Sequence, residues 1–68
     1  MSEMNSKAIG KKLVELRGEK TQAEVAKALK ISVSTLSMYE RGERIPRDNI
    51  KIRLSAYYKK PIQKIFFT

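Results

Sequence analysis

Apolar residues recur along this chain at spacings of three and four, the period of an α-helix rather than of a strand. Ile9, Leu13 and Leu16 fall at i, i+4 and i+7 and predict a first helix from Ser6 to Arg17. Val14 widens its apolar face, while Lys7, Lys11 and Lys12 take the other side. Gly18 stops it. Val25 and Leu29 share one face of a second helix, with the small Ala26 beside them to let another helix approach closely. That helix begins at Thr21 or Gln22, where Thr21 and Glu24 form the Thr-x-x-Glu pattern of a capping box. Ile31, in the turn that follows, belongs between the second and third helices.

The third helix starts after the capping residue Ser32 and runs to about Glu40. Leu36 and Tyr39 face inward, which leaves Val33, Ser34, Ser37 and Met38 pointing outward. Gly42 closes it. Pro46 and its polar neighbours mark a loop from Glu43 to Asp48. Asp48 can cap a fourth helix, whose inward stripe is Ile50, Leu54, Tyr57 and Tyr58, the tyrosines keeping their hydroxyls wet. Lys59-Lys60-Pro61 breaks that helix, and a last short one from Pro61 to Phe66 adds Ile62, Ile65 and Phe66.

Sixty-eight residues hold one small domain, so the pattern reads as an all-α fold of five helices over residues 6–68, preceded by a flexible tail of residues 1–5. The composition removes several functions. Without cysteine there is no disulfide framework or thiolate metal site, and without histidine the usual general base and commonest metal ligand are gone. The seven carboxylates are scattered and no glycine loop could cradle a phosphate, so an enzyme, a cofactor, a metal and a small-molecule ligand are not expected. No apolar run nears the ~20 residues of a membrane span, and the opening Met-Ser-Glu-Met-Asn-Ser is unlike a signal peptide, which points to the cytoplasm. A net charge of +8 and a pI near 10.1 point instead to nucleic acid.

The stretch from Thr21 to Gly42 resembles the helix-turn-helix of the Cro and phage-repressor type, the XRE-like family of bacterial and phage DNA-binding regulators. The resemblance rests on Thr21-Gln22, Val25-Ala26, Leu29, Ile31-Ser32, Ser34-Thr35-Leu36-Ser37 and Tyr39-Glu40-Arg41-Gly42, and extends from about Ile9 to Phe66. It implies a compact five-helix, lambda-repressor-like domain with helices 2 and 3 as the motif. Two departures stand out. Lys30 occupies the turn where the family usually has glycine, which implies a left-handed lysine strained by roughly 1 kcal/mol. The connection Gly18-Glu19-Lys20 is shorter than in common members.

The resemblance also implies roles. Val33, Ser34, Ser37 and Met38 match base-reading positions, with the adjoining Ser32 at the helix start. Gln22 matches a residue that binds backbone phosphate and buttresses the recognition helix, and the N–H groups around Gln22 and Gly42 are further phosphate donors. Arg44 and Arg47 occupy a loop resembling the family's backbone-gripping segment and are candidates for phosphate or minor-groove contacts, with Arg41 beside them and Ser32 in the same group. Arg17 is expected to pair with Glu40 as a structural link, since a bare carboxylate beside Tyr39 would be expensive. Ile52 and Phe67 do not fit the inward faces, and as exposed apolar residues they suggest a two-fold homodimer formed near the last two helices, with Ile62 and Phe66 also in the contact. The resulting expectation is a transcriptional repressor holding a palindromic duplex operator as a dimer. Its affinity should fall with salt at a log–log slope of roughly −6. The alternative within the same fold is a regulator that binds protein, as an antitoxin or anti-repressor does.

Overall fold

A computed structural model of the chain describes residues 5–67. The helices are α1 (Ser6–Arg17), α2 (Gln22–Leu29), α3 (Val33–Glu40), α4 (Asp48–Tyr58) and α5 (Ile62–Phe66). Among the described residues there is no strand, and no helix is long and apolar enough to cross a membrane. Of the tail expected over residues 1–5, residues 1–4 lie outside the described residues. Asn5 is not tail: its Oδ1 accepts from the Lys7 and Ala8 N–H groups and caps α1.

Local chemistry sets most helix ends. Thr21 Oγ1 accepts from the Glu24 N–H at 3.0 Å, and Ser32 Oγ accepts from the Thr35 N–H at 3.0 Å. Only this half of the Thr21–Glu24 capping box forms among the described residues. At the end of α3, the Gly42 N–H reaches the Tyr39 carbonyl and the Glu43 N–H reaches that of Met38, the paired bonds of a Schellman motif. Gly42 has φ +76°, and a Cβ there would sit 2.8 Å from Lys7 Cα, so both conformation and space demand glycine.

The same motif ends α2, with Lys30 at φ 60° and ψ 43°, and Lys59 closes α4 at φ 56° and ψ 44°. Both lysines carry a Cβ in the left-handed region. Lys30→Gly is expected to stabilise the domain by about 0.5–1 kcal/mol, the relieved strain outweighing the extra freedom of glycine in the unfolded chain. A thermal melt should rise by about 2–6 °C, and an unchanged or lower midpoint would contradict this.

The core is Ile9, Leu13, Val25, Ala26, Leu29, Leu36, Tyr39, Ile50, Leu54, Ile65 and Phe66, with Leu16, Ile31, Tyr57, Tyr58 and Ile62 packed at its margin. Helix α1 lies against α3 and α5, α2 against α3 and α4, and α4 against α5. Gly10 makes the first of these contacts possible. A Cβ there would fall 2.5 Å from the Glu40 carbonyl oxygen and 2.8 Å from that of Tyr39.

Several expectations change. Val14 does not widen the buried face of α1 but is exposed. Asp48 does not cap α4. Arg47 holds the cap position without a side-chain bond, and Asp48 is the first helical residue, pairing with Lys51 Nζ at 3.6 Å. Lys51 itself is buried, its ammonium 5.8 Å from the Phe66 ring centroid. The Arg53 guanidinium donates to the Leu29 carbonyl at 3.0 Å and closes the end of α2.

The Tyr58 hydroxyl is not wet. It is enclosed, with no hydrogen-bond partner among the described residues. Burial, reinforced by the nearby Glu40 charge, pushes its pKa up to about 12. The unfolded chain, with tyrosine near 10, then loses this proton first, so stability should fall between about pH 10 and pH 12 and be insensitive to Tyr58 below that window. Tyr58→Phe is expected to raise stability at neutral pH by about 1 kcal/mol, by removing an unsatisfied hydroxyl, and to flatten the alkaline decline. Urea denaturation at pH 8 and pH 11 checks both, and equal slopes for the two proteins would contradict the assignment.

Candidate nucleic-acid interface

Helices α2 and α3 pack against each other, and α3 carries a row of outward side chains. The period of α3 sends Leu36 and Tyr39 into the core. It leaves Val33 44% exposed and Ser32 and Ser34 exposed, with Ser37 and Met38 half-buried. Neither Ser34 nor Met38 is sealed into the interior, so the outward side of α3 is open to a partner. Apart from Met38 the side chains on it are short, so the start of α3 can approach another surface closely.

Ser32 has a second duty. Besides capping α3, its hydroxyl lies 2.8 Å from Thr35 Oγ1. Thr35 thus adjoins this row, a role that its position three residues past the cap foreshadows. The Val33 and Ser34 N–H groups, and those of Gln22 and Ala23, have no acceptor among the described residues. Each pair sits at a helix N-terminus, where the peptide dipoles favour negative charge.

The angle between the elements is held by one buried carboxylate. Glu40, its side chain 3% exposed, accepts Arg17 Nε at 2.8 Å, Arg17 Nη2 at 3.2 Å and Gln22 Nε2 at 2.8 Å. Arg17 also donates to the Lys20 carbonyl at 2.8 Å. Hydrogen bonding to Glu40 raises the Arg17 pKa further above its ordinary value, so the guanidinium stays charged. This cluster joins the end of α1, the start of α2 and the last turn of α3, and the short Gly18-Glu19-Lys20 connection is bound into it. Gln22 therefore has its amide nitrogen turned toward Glu40, while its backbone N–H faces outward.

The loop after α3 is pinned by Pro46, which is fully buried. Around it Arg44 and Arg47 are exposed and make no ion pair among the described residues. Arg41 is exposed too, but its Nε lies 3.2 Å from Glu43 Oε2. Both partners are more than half exposed, so this pair is worth little and yields readily to a stronger anion. Gly42 needs a correction. Its N–H is spent on the Tyr39 carbonyl inside the Schellman motif and is not free to bind phosphate. Ile45, exposed between the arginines, is missed by the sequence pattern, although an apolar residue in so basic a loop is a visible signal.

Of the residues suggested for a subunit contact, Ile52 is 60% exposed and Phe67 40%. They line a shallow groove with Asp48, Lys51 and the half-buried Ile62. Phe66 does not belong there. It is 1% exposed, because the single turn of α5 sends both Ile65 and Phe66 inward against α1 and α4.

The family model HTH_3, helix-turn-helix, matches residues 7–65 of this chain. Among solved structures the chain is similar to the SOS-response transcriptional repressor LexA from Eubacterium rectale, with a TM-score of 0.85 and 25% sequence identity. That likeness covers 91% of this chain and 68% of the other. No curated protein sequence matches.

Proposed function

This chain belongs to the HTH_3 helix-turn-helix family of DNA-binding transcriptional regulators, and on that premise we propose that it is a repressor that grips a palindromic operator as a homodimer. Helix α3 enters the major groove, which is wide enough to admit an α-helix. The observation that carries this reading is the outward row Ser32, Val33, Ser34, Ser37 and Met38, held at a fixed angle by the Arg17–Glu40–Gln22 cluster. The free N–H groups at the start of α2, together with Arg41, Arg44 and Arg47, hold the flanking phosphates. The groove of Ile52, Ile62 and Phe67 meets its two-fold copy.

The row also limits what can be read. None of Val33, Ser34, Ser37 or Met38 can make the bidentate bond that arginine gives guanine or glutamine gives adenine. Val33 and Met38 offer apolar contact to thymine methyls, and the serines bond several bases without strong preference. The operator is therefore A·T-leaning, with much of the selectivity coming from DNA shape. Selection of bound sequences from random duplexes tests this. Inverted A·T-leaning half-sites are expected, and half-sites with invariant guanines would contradict the reading.

Two substitutions separate gripping from reading. Arg44→Ala should weaken binding to all sequences by about the same factor and reduce the magnitude of the salt slope by about 1 for each phosphate left without its cation. Val33→Ala should instead change the preferred sequence with little effect on that slope. Fluorescence anisotropy across a panel of duplexes at several salt concentrations distinguishes them, and identical preferences for Val33→Ala and the parent would remove Val33 from the reading surface.

A further inference from the structure

Away from α2, α3 and the α3–α4 loop, the chain has a second cavity, of about 280 Å³, between α1 and α5. Its lining is Lys12, Glu15 and Leu16 from α1, Lys60 from the α4–α5 turn, and Lys64 and Ile65 from α5. The half-buried Leu16 supplies an apolar floor, and the buried Ile65 joins it to the core. Three ammonium groups and one carboxylate surround it. Lys12, Lys60 and Lys64 make no salt bridge among the described residues. The Lys12 ammonium bends across the groove to the Lys64 carbonyl at 3.3 Å instead of pairing with Glu15.

A solvated lysine face needs no floor and no convergence. Here lysines from α1, the α4–α5 turn and α5 line one groove over the half-buried Leu16. Like charges gathered at one mouth repel, and an incoming anion relieves that repulsion. The volume lies just below the range of ordinary small-molecule pockets, about 300–1,000 Å³, and suits one or two apolar side chains.

We propose that this groove docks an acidic segment of another protein, one that places an apolar side chain on Leu16 and carboxylates against Lys12, Lys60 and Lys64. None of these residues belongs to the face assigned to DNA, so the contact gives the regulator a separate handle for a partner protein. Charge complementarity selects the partner's sign, and the floor selects its apolar anchor.

The test uses the full chain, isotopically labelled, titrated with the peptide Asp-Glu-Leu-Phe-Glu-Asp and followed by amide shifts. Saturable shifts are expected at Leu16, Lys60, Lys64 and Ile65. Affinity should drop about tenfold in Lys60→Glu/Lys64→Glu, whose exposed side chains leave the melting temperature near that of the parent. It should drop by a similar factor for the peptide Asp-Glu-Ser-Ser-Glu-Asp, and be unchanged in Arg44→Glu. Shifts confined to Ser32–Met38 and Arg44 would mean that the peptide imitates DNA on the other face, and would overturn the proposal. Equal shifts with inorganic phosphate or the serine peptide, undiminished binding by the double variant, or no saturable shift at all would overturn it too.

Discussion

Gly10→Ala is expected to destabilise the domain by about 2–3 kcal/mol, although alanine is the better helix former by about 1 kcal/mol. The added methyl would lie 2.5 Å from the Glu40 carbonyl oxygen and 2.8 Å from that of Tyr39, and both atoms are backbone. No rotamer change clears them. Helix α1 must move off the end of α3, and Ile9 and Leu13, which flank the contact on α1, lose packing as it does so. A domain of this size has a total stability of only about 3–10 kcal/mol, so the loss is a large share of it. The melting midpoint should fall by about 10–20 °C. An unchanged or raised midpoint would show that the approach of α1 to α3 is not tight.

Arg17→Ala should be comparably severe, for an electrostatic reason. Glu40 is almost wholly buried, while the Arg17 side chain is 20% exposed at the solvent edge. Removing arginine leaves a buried carboxylate with Gln22 as its remaining side-chain partner. Losing one member of a fully buried pair costs about 3–5 kcal/mol, and partial exposure here lowers that to about 2–3. Glu40→Gln should cost less, about 1–2 kcal/mol, because the freed guanidinium reaches water and keeps the Lys20 carbonyl. Operator affinity should fall in both variants by more than the unfolded fraction explains, since the same carboxylate sets the angle of α2 to α3. Denaturant titrations and binding at a temperature where both variants are folded check this ordering. Equal stability of Arg17→Ala and the parent, with unchanged affinity, would rule the cluster out as a determinant of that angle.

The parts that sequence pattern reaches are those governed by local rules. Thr21 and Ser32 cap helices because a hydroxyl at that position meets a free N–H whatever surrounds it. Leu36 and Tyr39 turn inward because the helical period leaves them no other side. The left-handed Lys30 is foreseen from the family resemblance, as a lysine standing where its members usually have glycine. What pattern misses depends on distant partners. Gly10 looks like any helix-interior glycine until α3 arrives against it. Lys51 and Arg53 look like surface cations until the Phe66 ring and the Leu29 carbonyl come within reach. Phe66 and Phe67 cannot be assigned to faces by a single turn of helix, and they part ways in the fold. At the candidate interface, the outward row of α3 follows from period alone. The loss of the Gly42 N–H to a Schellman bond requires the backbone geometry.

Whether the outward row of α3 lies on base edges is the point on which the proposed function turns. Amide and methyl spectra of the chain, recorded with and without a duplex carrying the selected operator at physiological salt, address it directly. Large shifts are predicted at Ser32, Val33, Ser34, Ser37 and Met38, with contacts from the Val33 and Met38 methyls to thymine methyls, while Leu16 and Ile65 stay in place. Spectra in which the duplex moves α4 and α5 but leaves Val33, Ser34 and Met38 unmoved would contradict it.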